Sequence, residues 1–378
     1  MRKDRLLKED RLWKEDRLLK DVVPLWLFAC LIALALVATP VPAWMIDRFY
    51  ARDFYPILQG IVTTMSNAIP LAVLDLLLLA LALLLVRWVV RGVRLARVRG
   101  ARVAVWDAFR RVVRTASVVA ILFFVMWGLN YRRTSLEASL NLTAPPPSAD
   151  DLQAAVLEAN DLAGRLQPSL ASSEPLSYDD VVRRLPVPFA AALRQLNRPP
   201  LSVPGRPKYS LVLTPYFTAA GIDGMIDPLA LESVVHPDLL PVERPFVLAH
   251  EWAHLAGAAD EAEASAIGWL ACLKGDSPLA YSATLYLIGE AGSALPRDRW
   301  RAVAGRLDPA VRRDLDAIAR RVQREQPVVQ RTAARVYDTY LKANRVGDGV
   351  ASYSRALRLI LSPTLRGALA QARVPHLP

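Results

Sequence analysis

Within Phe246 to Gly257, which reads FVLAHEWAHLAG, His250, Glu251 and His254 stand in the order His-Glu-x-x-His. Residues four apart on a helix lie one turn apart on the same face, so both imidazoles can reach a single Zn²⁺ at about 2.0 to 2.1 Å. The carboxylate between them then points at water held by the metal. Zinc lowers the pKa of such water toward about 7, and Glu251 is the expected general base, taking the proton during attack on a carbonyl and passing it to the leaving amine. A pair of satisfied core histidines is the bland alternative, but an ionisable trio among Phe, Val, Leu and Ala is costly to bury without a purpose.

A catalytic zinc needs a third protein ligand, and Asp260, Glu261 and Glu263 are the near candidates. On an unbroken helix Glu261 would lie about 10 Å beyond His254 along the axis, at about 1.5 Å per residue, so the helix has to end first. Gly257 stands where it can end, because glycine accepts positive φ, and Asp260 can then cap a second helix that folds back on the first. Glu261 is the preferred ligand; Asp260, in the form HExxHxxGxxD, and Glu263 are the alternatives. The run EAEAS resembles gluzincin-type zinc peptidases, in which a ligand Glu is followed three residues on by a small residue and four on by a polar one that supports a ligand histidine. Ala264 and Ser265 hold those places.

The elements that must carry this site belong to a chain of 378 residues, 53% apolar and 22% charged, which excludes disordered, collagenous and coiled-coil classes. The net charge of +11 raises nucleic acid as a partner, but no aromatic RNA-binding signature or Cys/His finger spacing accompanies it, so none is expected. Two cysteines, Cys30 and Cys272, argue no disulfide framework. Apolar stretches at 22–45, 69–90 and 112–131 are expected to cross a bilayer. The arginine-dense loop from Arg87 to Arg114 is then cytoplasmic, and everything after Tyr131 lies outside.

The expected architecture is a mainly α membrane protein: three N-terminal transmembrane helices in a bacterial cytoplasmic membrane, then an extracytoplasmic zincin-like α+β domain with a small edge sheet. Its parts are a charged tail at 1–21 built on a hexapeptide repeat, a membrane domain at 22–131, a linker at 132–150, the peptidase-like domain at 151–362 and a tail at 363–378. Lys208 to Phe217 (KYSLVLTPYF) is the best strand candidate and a natural edge for aligning a peptide, while the pattern after Pro245 is helical to Leu361 with a break at Val346 to Gly349. Asp75 inside the second span, near its outer end, is a functional candidate; otherwise it snorkels to the interface or bonds Ser and Thr neighbours. Glu232 reads as a surface carboxylate or a group beside the cleft. Tyr337, Tyr340 and Tyr353 are candidate oxyanion donors, with core packing as the alternative.

Several stretches resemble a bacterial family known as domain of unknown function 3810, predicted membrane proteins with a gluzincin-like motif. They include YARDFYP at Tyr50, PLAVLD at Pro70, WGLNYRR at Trp127, PK at Pro207, GIDGMIDPLALES at Gly221 and YDTYLKANRVGDGVASY at Tyr337, besides HEWAH and the E-x-E-A pattern. The resemblance implies a membrane-anchored zinc peptidase-like fold with His250, Glu251, His254 and Glu261 in the roles above; members of that family tend to carry Asn where Ser265 stands. The expected activity is hydrolysis of a peptide or protein substrate with Zn²⁺ as the cofactor. The alternative is a membrane scaffold or sensor in which zinc only joins two helices.

Overall fold

A computed structural model describes residues 23–142, 145–171, 174–323, 326–343 and 352–372. The hexapeptide repeat and the Val346–Gly349 break lie outside the described residues. From Val23 to Met126 the described chain is mainly helical: α1 (Val23–Ala38), then Ala43–Met45 continuing through a π-helical stretch, Ile46–Phe54, into α2 (Tyr55–Ala68), then α3 (Val73–Arg99) and α4 (Ala101–Met126).

Among the described residues the expectation of three membrane spans is corrected to one or two. Helix α3 is long and apolar enough, with a mean hydropathy of 2.5 over its best window and none of that window buried. Helix α1 has 16 residues, about 24 Å at 1.5 Å each, and ends before Pro40 and Pro42; it qualifies only if joined across that break to the helices after it. Helix α4 fails because it stops at Met126, and even its last 18 residues keep Arg110, Arg111 and Arg114. Charges at that density do not enter hydrocarbon unpaired.

The chain forms two compact units. One holds the described residues up to Val41 together with Leu77–Trp127. In it α1 packs on α4, and Asp107 takes Arg111 and, at 3.8 Å, Arg91. The other holds Pro42–Leu76 and the described residues from Gly128 onward, so a stretch expected to belong to the membrane domain packs with the C-terminal unit.

That second unit is built around α7 (Glu261–Leu273), flanked by α5 (Ala149–Ala171), α6 (Arg244–Leu255), α8 (Ser277–Ala294) and α9 (Ser352–Ile360). Every residue of α7 from Ala262 to Leu273 is buried, because α6, α8 and α9 all pack against it, while α5 lies along α8. Trp252 on α6 packs edge-on against Phe189, ring centroids 5.7 Å apart, and donates its indole N–H to Gly205 O at 2.8 Å. Each such fully buried aliphatic or aromatic side chain contributes about 1.5–3 kcal/mol, which sets the shape of this core. Within the expected tail, Pro363–Gln371 is a helix with Leu365 and Leu369 buried.

A three-stranded sheet completes the unit, in the order β1 (Pro207–Lys208), β3 (Glu232–Val235), β2 (Gly224–Asp227). Strand β1 runs parallel to β3 with Lys208 opposite Val234, and β2 runs antiparallel with Asp227 opposite Glu232. The strand expected at Lys208 to Phe217 is therefore corrected to its first residue. Ser210 Oγ accepts from Leu213 N at 2.8 Å and turns the chain, and Pro215 then sits in the first turn of helix Thr214–Ala220, where its missing N–H does no harm.

Candidate metal centre

Helix α6 starts with Pro245 in its first turn and buries Val247, Leu248, Ala249, Trp252, Ala253 and Leu255, which leaves His250 and His254 stacked one turn apart along one side. It ends in a Schellman turn: Ala258 N donates to Ala253 O at 2.9 Å and Gly257 N to His254 O at 2.8 Å, with Gly257 at φ +90. A side chain there would meet the Arg133 guanidinium at 2.5 Å, so glycine is required both by the backbone and by space. Arg133 Nη1 donates to Gly257 O at 2.7 Å and Ala256 O at 3.3 Å, and Tyr55 Oη donates to Leu255 O at 3.0 Å. The carbonyls left over at the helix end are thus taken by one cation and one hydroxyl.

Three residues later Asp260 caps α7, accepting from Ala262 N at 3.0 Å and Glu263 N at 3.1 Å through Oδ1. Its Oδ2 takes Arg355 at 3.0 Å, so both oxygens are engaged away from the histidines. Glu263 pairs with Arg198 at 2.8 Å. Of the three acidic candidates, only Glu261 comes to the imidazoles. His250 Nε2 lies 3.2 Å from Glu261 Oε2, His254 Nε2 lies 3.6 Å from Glu261 Oε1, and the two Nε2 atoms are 3.0 Å apart. Tetrahedral ligands about 2.0–2.1 Å from zinc are about 3.3 Å from each other, so the spacing of these three side chains fits such an ion.

The far nitrogens of both rings are held. His254 Nδ1 is 2.6 Å from Ala258 O and His250 Nδ1 is 3.2 Å from Ser265 Oγ, so a carbonyl and a hydroxyl orient the rings with Nε2 inward. Gly268 lets α7 approach closely, since a Cβ there would be 2.9 Å from His250 N. Burial opposes charge on His254, but the Glu261 carboxylate beside it carries its pKa up to about 9. Burial pushes His250 down, outweighing its bond to Glu261. Burial alone would raise Glu261, yet the two histidines hold it well below the usual carboxylate range.

Glu251 is buried beside this cluster, its pKa pushed up to about 8 by burial, and its Oε2 has no hydrogen-bond partner. The start of β2 packs on it: a Cβ at Gly224 would be 2.6 Å from Glu251 Oε1. Asp223 O accepts from His236 N at 2.8 Å, and antiparallel alternation from that pair directs the N–H and C=O of Gly224 and Ile226 away from β3. An edge of extended backbone therefore begins beside the carboxylate.

The segment from residue 50 to residue 361 matches the model of a family described as "Protein of unknown function (DUF3810)". The chain belongs to that family. Its matched region takes in Tyr55 and Arg133 as well as the cluster, so the residues that hold the α6–α7 turn lie inside the family's extent. No curated protein and no solved structure matches the chain.

The remaining expectations fall elsewhere. The side chains of Tyr337, Tyr340 and Tyr353 lie outside the described residues. Asp75 bonds Ser210 Oγ and accepts from Leu211 N at 2.6 Å, the hydroxyl-bonding reading. Glu232 is not on the surface: it is fully buried and pairs with Lys208 at 2.6 Å. His236 is held by Thr218 Oγ1 at 2.8 Å and Asp238 N at 3.1 Å, apart from the cluster. A cavity of about 410 Å³ lined by Leu307, Arg312, Asp316 and Arg320 shares no residue with it. Sequence reasoning missed Tyr55, Arg133, Gly224 and Gly268; Tyr55 and Arg133 find their partners 200 and 124 residues away, beyond the reach of any spacing rule.

Proposed function

We propose that the chain is a membrane-associated zinc peptidase of gluzincin-like type, in which His250, His254 and Glu261 hold the metal and Glu251 moves the proton. The observation that carries this reading is the convergence of three ligand atoms next to a buried carboxylate oxygen without a partner. When bound, the metal supplies Lewis acidity toward a carbonyl oxygen and lowers the pKa of water. Glu251 Oε2, buried and without a hydrogen-bond partner, holds the proton removed from the attacking water and delivers it to the departing amide nitrogen. Gly224 and Ile226 on β2 offer N–H and C=O groups to an extended peptide, which aligns the scissile bond by strand addition.

The test uses the full chain in detergent or vesicles. The protein should carry about one zinc per chain. Glu251→Gln should keep the metal and lower peptide hydrolysis by about 10²–10⁴-fold, the usual worth of a general base. Hydrolysis at the wild-type rate would remove Glu251 from the chemistry, and bound zinc with no hydrolysis in either protein would identify the scaffold.

A further inference from the structure

Helix α2 is inside out. Its inward face is polar: Gln59, Thr63 and Ser66 are buried, with Gln59 Nε2 donating to Val203 O at 2.7 Å, Thr63 Oγ1 to Leu231 O at 2.7 Å and Ser66 Oγ to Glu232 Oε2 at 3.1 Å. Its outward face is apolar: Ile57, Ile61 and Met65 are 66%, 57% and 67% exposed, and Phe54 just before the helix is 46% exposed. These four positions follow the three- and four-residue steps of one helical stripe. No charged residue occurs between Asp53 and Asp75, although an outward helix face in water is normally where the charges sit.

The same apolar surface continues. Asn67 Nδ2 donates to Pro204 O at 2.9 Å and Lys208 Nζ to Ser66 O at 2.7 Å, which lays the chain after Pro204 along the end of α2. Asp75 holds the next turn at Leu211 N, and that turn presents Leu211 and Val212, 77% and 57% exposed. Asp75 is itself on the first turn of α3, the helix with the composition of a membrane span. The exposed patch and the span are therefore continuous in the chain.

We propose that the face formed by Phe54, Ile57, Ile61, Met65, Leu211 and Val212 is immersed in the acyl chains of the bilayer that α3 enters. Helix α2 has 14 residues and is about 21 Å long, shorter than the roughly 30 Å hydrocarbon core, so it dips into one leaflet rather than crossing. Its backbone groups are bonded within the helix, as hydrocarbon requires. The exposed Arg48, Arg52 and Asp53 just before it sit at the headgroup level. Because Tyr55 on α2 bonds the end of α6, the metal-binding helix stands directly behind this lipid-facing layer. The inference concerns the surface alone and stands or falls independently of the proposed hydrolysis.

The experiment places single cysteines at 57, 61 and 65 in a full-length Cys30→Ser background, Cys272 being buried. Each is spin-labelled in phosphatidylethanolamine/phosphatidylglycerol vesicles, and its accessibility to oxygen and to a water-soluble nickel chelate is measured. Leu83 on α3 and the exposed Asp298 serve as lipid and water references. Immersion predicts an oxygen-to-nickel ratio like that at 83 and several-fold above that at 298. A ratio like that at 298 overturns the proposal. So does low access to both reagents, which means that a second copy or another protein covers the face. A second measurement uses the unsubstituted chain: diazirine-bearing acyl chains should leave adducts on 54–65 and 211–212, and adducts confined to α3 would overturn the proposal.

Discussion

Two clusters of buried charge lie in the same unit and are finished in opposite ways. At Lys208 the ammonium is 4% exposed and meets Ser66 O at 2.7 Å, Ser66 Oγ at 3.1 Å and Glu232 Oε2 at 2.6 Å, while Glu232 Oε1 accepts from Leu74 N at 2.8 Å. Three donors meet three acceptors, and the protein closes the cluster with its own atoms. At His250, His254 and Glu261 the ligand atoms face one another, and the adjacent Glu251 keeps an oxygen without a partner. Burial is common to both, so burial does not mark function. What separates them is whether the protein supplies the last partner.

The contrast breaks most visibly at the closed cluster. Lys208→Met leaves the buried Glu232 carboxylate without its counter-ion, held only by Leu74 N and Ser66 Oγ, and should cost about 3–5 kcal/mol in denaturant unfolding, whereas Lys208→Met with Glu232→Leu should recover most of that loss. Zinc added to a hundredfold excess over its Kd should stabilise the wild type by about 2.7 kcal/mol and leave His254→Ala unmoved, while having no dependence on residue 208. Equal zinc stabilisation of His254→Ala would place the metal elsewhere.

Acidity sharpens the difference. In metal-stripped protein His254 holds its proton more tightly than the ordinary value of 6.5 and releases it near 9. The stability it adds is complete below pH 6.5 and disappears as pH climbs through about 9. Zinc displaces that proton, so the loaded protein has none to lose and its stability should stay level across the same window. Thermal melts should fall with rising pH in chelator and stay flat with zinc, and parallel slopes would show that zinc and the proton do not compete for His254. The smallest effect is expected at Ser265→Ala, which frees the far nitrogen of His250 and should weaken zinc about 10–100-fold without altering the fold.

The cluster was legible in the sequence because its parts obey short-range rules: a four-residue step on one helix, a glycine that ends it, an Asp that begins the next and a Glu directly after. The same holds for the mainly helical class. The strand expected at Lys208 to Phe217 failed because β-branched composition does not outweigh Pro215 and a turn closed by Ser210. The third span failed because an apolar window was read across the end of α4. Glu232 and Asp75 were misread or left open because their partners, Lys208, Ser66 and Ser210, come from distant segments that only the folded chain assembles. The inverted polarity of α2 has the same origin, since the partners of Gln59, Thr63 and Ser66 come from distant segments.

The Schellman turn at Gly257 has a practical corollary. Its outer side is clamped by Tyr55 and Arg133, residues that precede the helical domain in the chain, so a protein trimmed to begin at residue 151 would lose both clamps along with the polar face of α2. The turn that delivers Glu261 to the histidines would then be released, and the exposed seam would be hydrogen-bonding groups rather than a greasy patch. Solubility gained by such trimming would come with a scattered set of ligands, and zinc affinity should fall with it even though every ligand residue is still present.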